Sequence, residues 1–383
     1  MKVDFSPIFG SFGTLVLNNI VPFLVVLTII VFIHELGHFL VARWCGVGIK
    51  VFSIGFGPEL FGFDDRHGTR WKLSAIPLGG YVKFLGDENE AGGTDRAAIE
   101  TLSAAERDQA FANKGVGARA AIVVAGPLAN FLLAIVIFTA IYSTYGRQIT
   151  EARVDAVVAE SAAARAGFEP DDLIVSIDGD EIGSFSDLQR IVSISADTEL
   201  SIVIDRDGEL LNLLATPERR EIVDRLGNTQ RLGQLGISRN TTAENVKTEQ
   251  FSVPQATLLA VGETWFVVER TISYLGGVIV GRESADQLGG PIRVAQISGQ
   301  VATLGFVALM NLAAFLSISI GLINLFPIPM LDGGHLLFYG VEAVRGKPLS
   351  DRALDISFRF GFAAIVMLMI FATWNDIIHL SSL

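Results

Sequence analysis

Long apolar runs set the limits on what this chain can fold into. A helix rises 1.5 Å per residue, so about 20 largely apolar residues cross the hydrocarbon core of a bilayer. Residues 20–42 carry charge only around the cluster His34-Glu35-Leu36-Gly37-His38, and residues 120–145 and 301–331 carry none. A fourth, shorter run at about 356–374 has Arg359 near its start, where a long side chain can snorkel to the headgroups. Composition agrees: 50% of the 383 residues are hydrophobic and 18% are charged, against roughly 25% charged in a soluble domain. Such a chain is not disordered, and the single cysteine, Cys45, excludes a disulfide scaffold. A net charge of −12 argues against nucleic acid as a partner, because phosphate binding needs a basic face. The pattern predicts a polytopic α-helical membrane protein with about four transmembrane helices.

Lysine and arginine near the span ends predict the orientation. Arg43, Lys50, Lys114 and Arg119 flank the connection between the first two runs, and Arg345, Lys347 and Arg352 lie between the last two. The N-terminal segment offers only Lys2, and nothing basic follows Trp374. By the positive-inside rule these two connections face the cytoplasm, and both termini and residues 147–300 face out. Residues 1–19 lack a basic n-region and a small-residue cleavage site, so they do not read as a removable signal peptide.

Four parts follow: a membrane part at 1–146, an outer module at 147–240, a membrane-surface linker at 241–300 and a second membrane part at 301–383. In the outer module, residues 173–177 and 200–204 read as strands, followed by the turns Asp178-Gly179-Asp180 and Asp207-Gly208. Residues 187–193 between them read as a short helix, giving an α/β domain. In the linker, Val261, Trp265, Val268, Ile272 and Leu275 form a helical stripe that excludes Glu263, Glu269 and Arg270. That pattern suits an amphipathic helix lying on the membrane surface, a fifth span being the alternative.

The chemistry sits in two places far apart in sequence. His34 and His38 are four residues apart, so on a helix they share a face, with Glu35 beside them. Two imidazoles at that spacing suit tetrahedral Zn²⁺, and the adjacent carboxylate can take the proton of an activated water. Ionisable groups inside a span are costly and mark function. A catalytic zinc takes three protein ligands. Asp332 and His335, just beyond Asn324-Leu325-Phe326-Pro327-Ile328-Pro329-Met330-Leu331, are the candidates for the third. Two prolines break a helix there, and broken backbone is tolerated in a membrane only where it lines a cavity or is packed in protein. His67 and His379 fall outside the cluster and read as surface residues. Strand-like residues at 69–84 surround the turn Pro77-Leu78-Gly79-Gly80, so a sheet edge could capture an unwound substrate strand.

The combination of the first-span zinc motif, Gly126-Pro127-Leu128-Ala129-Asn130-Phe131 in the second span, and residues 324–335 resembles the site-2 protease family. The match is nearest the regulator of sigma-E protease type. Residues 162–174 resemble the PDZ domains of bacterial proteases, and Leu235-Gly236-Ile237 looks like their carboxylate-binding loop. That type usually carries two tandem PDZ modules, and this chain has room for one. The resemblance implies His34, His38 and Asp332 as zinc ligands and Glu35 as the general acid/base. It further implies that Asn324 holds or polarises the substrate backbone, and that 69–84 is a membrane-reentrant β-hairpin presenting Gly79, Gly80 and Tyr81. The implied protein sits in a bacterial inner membrane with its PDZ module in the periplasm and its active site near the cytoplasmic side. Its implied substrates are single-span membrane proteins such as anti-sigma factors, already trimmed by an upstream site-1 protease, and remnant signal peptides. The competing readings are a non-catalytic PDZ scaffold and a metal transporter. The intact ligand set speaks against the first, and the almost wholly apolar second and fourth spans against the second.

Overall fold

The structure is a computed structural model that describes residues 19–89, 92–94, 96–223, 229–240, 246–281, 285 and 289–382. In chain order, α1 (Val21–Trp44) leads into β1 (Ile49–Asp64) and β2 (Arg70–Phe84), then into α2 (Val116–Thr144). The middle of the chain holds α3 (Ala162–Ala166), β3 (Leu173–Ile177), β4 (Asp180–Glu181) and α4 (Phe185–Ile194). It continues through β5 (Leu200–Arg206) and β6 (Glu209–Ala215) to α5 (Val253–Ile279). The last part is helical: α6 (Pro291–Thr303), α7 (Phe306–Asn324), α8 (Asp332–Arg345) and α9 (Asp351–Ser382). The chain divides into two compact units, one of Met1–Phe138, Leu259–Val268 and Leu288–Leu383, the other of Thr139–Leu258 and Glu269–Gln287.

Among the described residues, four helical stretches are long and apolar enough to cross a membrane: Val21–Trp44, Val116–Thr144, Phe306–Asn324 and Arg352–Ile378. Val25, Ile29, Leu132, Val136, Met367 and Ile370 point outward from them, as lipid-facing side chains do. The 27-residue α5 does not meet that description. The apolar run at 301–331 is longer than the helix it forms. Gly305, with φ of 105°, starts α7, and the helix stops at Asn324 ahead of Pro327 and Pro329. Proline removes a backbone donor and clashes with the preceding turn, so an apolar run overstates the helix here.

Small residues let the first two spans touch. A Cβ on Gly37 would come within 2.3 Å of Ala125 O, and one on Gly126 within 2.3 Å of His38 Nε2. Close backbone approach of this kind is how helices associate where water supplies no hydrophobic drive. Val26, Ile30 and Ala313 form a buried cluster joining α1 to α7, with Leu133 and Ile137 of α2 packed on it. Asp376 in α9 ties down the start of α6, accepting from the backbone N–H groups of Gly290 (2.8 Å), Ile292 and Arg293 (both 3.1 Å). Those are the orphan donors every helix start presents.

The β region differs from a hairpin closed at Pro77-Leu78-Gly79-Gly80. The partner of β2 is β1, which has no counterpart in the sequence reading. Residues 61–64 pair with 70–73, while 51–54 pair with 70–73 and also with 80–83. Gly55 and Gly57, with φ of 86° and 85°, bend β1 between these stretches, and that glycine content hides the strand from propensity. Phe52 is fully buried at the centre, stacked on Trp71 at 4.2 Å and edge-on to Phe39 of α1. This cluster fixes the sheet against the first span.

Asp87, just after β2, accepts a hydrogen bond from Phe84 N at 2.8 Å. Burial pushes its carboxyl up to about 6, against the weaker pull of that N–H and of Lys83 and Lys50. The folded state therefore binds the proton more tightly than the unfolded chain, whose value is about 4. The associated stability is full below that value and is lost as pH rises through about 6. Asp87→Asn should raise the unfolding temperature at pH 7.5 and flatten its slope between pH 4 and 6. A slope unchanged from wild type would contradict a buried, raised carboxyl.

In the second unit, β6, β5, β3 and β4 form a sheet in that order. Ile174, Ile177, Ile202, Ile204, Leu188 and Leu235 fill its core. Ser161 caps α3 through Ala164 N, and Gly167 closes it in the left-handed conformation. Arg206 forks onto the buried carboxylate of Asp172 at 2.7 and 2.8 Å. Strands 173–177 and 200–204 and the Asp207-Gly208 hairpin fall where the sequence puts them.

Candidate active site

His34, Glu35 and His38 lie in the second half of α1, and Asp332 is the first residue of α8, about 300 positions away in the chain. His34 Nε2 and His38 Nε2 stand 3.2 Å apart. Asp332 Oδ2 approaches them at 3.2 and 3.5 Å. A tetrahedral ion with ligands at about 2.0–2.1 Å would space them by about 3.3 Å. Asp332 Oδ2 is buried and accepts no hydrogen bond, although two ring nitrogens face it. An orphaned carboxylate oxygen aimed between two imidazoles fits a divalent cation better than it fits a structural ion pair. These three are the group among the described residues able to hold a metal.

Backbone features build the site. His38 Nδ1 lies 2.9 Å from Ile122 O of α2. A carbonyl only accepts, so Nδ1 carries the proton and Nε2 keeps its lone pair for a metal. Gly126 leaves room for that ring against α2. Asp332 is reached through a tight turn: a Cβ on Gly333 would sit 2.2 Å from both Leu325 O and Phe326 O, and one on Gly334 2.4 Å from Ile328 O. Met330 holds φ of 85°, a left-handed conformation that costs a branched or long side chain about 1–3 kcal/mol and clusters at functional sites.

His335 is not in the metal group; its ring packs against Phe358 at 5.6 Å and near Phe338 and Tyr339. His67 is exposed in the turn between β1 and β2, and the side chain of His379 lies outside the described residues. Asn324 ends α7, half-buried. Gly79 has φ of 147° and lies against the Phe56 ring, and a Cβ on Gly80 would come within 3.1 Å of Glu35 Cγ. The strand at 80–83 therefore runs beside Glu35. The Tyr81 side chain is buried, stacked on Phe56 with Lys72 Nζ 4.9 Å from its ring, so only its backbone is available to a substrate. Leu235, Gly236 and Ile237 belong to the other unit. Leu235 O and Gly236 O accept from Ala163 N and Val158 N, and Ile237 pairs with Val157.

The chain matches the model of Peptidase family M50 over residues 22–368, which takes in every residue of this site. The chain belongs to peptidase family M50, the site-2 proteases. A relative from Agrobacterium fabrum is 51% identical over 358 residues, covering 94% of this chain and 95% of its own length. One from Rhizobium meliloti is 50% identical over 368 residues, covering 95% and 98%. Both carry the words zinc metalloprotease in their names. A metalloprotease of Caulobacter vibrioides is 39% identical over 380 residues, covering 94% of this chain and 95% of its own. The M50 chain is thus a zinc metalloprotease with several membrane-spanning helices, and its family acts on membrane proteins in a lipid environment. What sequence reasoning missed is the surroundings of the histidines. Ile122 O, Gly37 and Asn130 bear on the metal site, and the spacing of Gly126 and Asn130 was the one available signal.

Proposed function

We propose that this M50 protease cuts peptide bonds within or near the transmembrane segment of single-span membrane proteins. The cut is the second of two, following an upstream site-1 protease, with anti-sigma factors as the substrate class and remnant signal peptides as a further one. The convergence of His34, His38 and Asp332 beside Glu35 carries the reading. When bound there, zinc supplies Lewis-acid polarisation of the scissile carbonyl and an activated water near neutral pH. Glu35 takes the proton from the attacking water on its carboxylate and returns it to the leaving amine nitrogen. Asn324 donates its side-chain amide to the substrate backbone, holding the scissile bond over the site.

A transmembrane helix hides its peptide groups in its own hydrogen bonds, so the substrate must unwind before it is cut. The strand at 80–83, brought against Glu35 by the missing side chain of Gly80, offers backbone groups to an unwound strand. The basic residues flanking the β region support a cytoplasmic opening in a bacterial inner membrane. The module at 147–240 then works from the periplasm as a PDZ-like filter against substrates whose outer domain is still bulky, with Leu235, Gly236 and Ile237 at its peptide loop.

Two experiments test this. Asp332→Asn should lose zinc and activity together, whereas His335→Ala should retain at least part of its zinc. Metal analysis giving the reverse order makes His335 the third ligand. Deleting about residues 151–239 should leave zinc bound and allow an untrimmed single-span substrate to be cut as well as a trimmed one. If cleavage of both forms falls instead, the module recruits substrate and the filter is wrong.

A further inference from the structure

Asn130 lies in the middle of α2 and is completely buried. Its amide nitrogen comes within 3.3 Å of His34 Nδ1. The amide oxygen, Oδ1, is buried and accepts nothing. An unsatisfied buried acceptor is destabilising, so the side chain is a poor choice for packing alone. The backbone around it is nevertheless pinned. Asn130 O accepts from the buried Ser317 Oγ of α7 at 2.8 Å, and a Cβ on Gly321 would come within 3.1 Å of Asn130 Cβ.

A neutral imidazole has its proton on one ring nitrogen and a lone pair on the other. At His38 the carbonyl of Ile122 decides which. At His34 the partner is an amide, which can present either end. With Nδ2 toward the ring, Nδ1 accepts, the proton sits on Nε2, and no lone pair is left for a cation. With Oδ1 toward the ring, Nδ1–H donates, and the Nε2 lone pair faces the space shared with His38 Nε2 and Asp332 Oδ2, 3.2 Å from each. Half a turn of the amide separates the two states, and the unbonded Oδ1 leaves no hydrogen bond to break on that side.

We propose that Asn130 is the positioning residue of His34, setting which ring nitrogen carries the proton and so how tightly the site holds its metal. Ser317 holds Asn130 in place, which couples metal affinity to the contact between α2 and α7. This rests on His34 being a zinc ligand.

The test measures zinc affinity of the purified full-length chain by chelator competition. The visible spectrum of the cobalt-substituted protein serves as a readout of coordination independent of activity. Asn130→Leu keeps the size and removes both polar ends, and should weaken zinc by about 10- to 100-fold and alter the cobalt spectrum. Asn130→Ala carries the same expectation should the leucine variant fail to accumulate. Asn130→Asp presents only acceptors to Nδ1–H and should bind zinc at least as tightly as wild type. A merely structural role predicts the opposite order, since a span tolerates leucine and resists a buried carboxylate. In a His34→Ala background, Asn130→Leu should change the residual affinity by less than about twofold, as expected of two residues acting through one contact. Wild-type affinity in Asn130→Leu, aspartate as weak as leucine, or an undiminished effect without His34 each overturns the proposal. Unchanged affinity in His34→Ala alone instead breaks the ligand assignment itself and takes the proposal with it.

Discussion

Glu35→Gln should stop cleavage while leaving zinc in place. The carboxylate stands next to His34 on α1, with the backbone of Gly80 close against its Cγ, and it is not in the metal group. The proposed role of that carboxylate is to move a proton between the attacking water and the leaving amine, which a glutamine amide cannot do. General acid–base catalysis contributes about 10²- to 10⁴-fold, so turnover of a trimmed single-span substrate should fall by at least that much. Zinc content should stay at the wild-type level, because His34, His38 and Asp332, the group able to hold a metal among the described residues, are untouched. Turnover close to wild type would remove Glu35 from the chemistry. Loss of zinc along with activity would make it a ligand.

Gly333→Ala should be as damaging without touching a reactive atom. The added Cβ would meet two carbonyl oxygens, Leu325 O and Phe326 O, at 2.2 Å, and backbone cannot swing aside as a side-chain tip can. The turn that carries Asp332 must open, against a conformation already strained at Met330. Overpacking of this kind costs about 1–3 kcal/mol. The larger effect falls on the metal, because a carboxylate moved by an ångström no longer shares a point with the two imidazoles. We expect zinc affinity to drop by roughly 100-fold, with α1 and its histidines still folded. A useful control is Gly340 in α8, since a Cβ there meets nothing within 4 Å. Wild-type zinc affinity in Gly333→Ala would mean that the turn at 325–331 does not set the position of Asp332.

How much of this was legible beforehand depended on whether the signal was local. The pair His34 and His38 with Glu35 reads from spacing alone, because one helical turn puts them together. The four spans read from length and apolarity, and the strands at 173–177 and 200–204 from short apolar runs and the turns after them. Asp332 was reachable because two prolines and two glycines mark broken backbone in an apolar run. What stayed hidden came from contacts between distant segments. The strand 49–64 is anchored by Phe52 packing on Trp71 and Phe39, distant in sequence, while its own glycines argue against it. Asn130 reads as one more residue of a small-residue motif until His34 is seen beside it.

A zinc ion held in the membrane by two imidazoles and a carboxylate has a distinct spectroscopic signature. X-ray absorption at the zinc edge of the purified chain, with metal stoichiometry, reads that signature. The expected result is one zinc per chain with nitrogen and oxygen neighbours at about 2.0–2.1 Å, imidazole scattering from two rings, and loss of that signal in Asp332→Asn. A sulfur neighbour at about 2.3 Å, which would point to Cys45, or zinc without imidazole scattering, would contradict it.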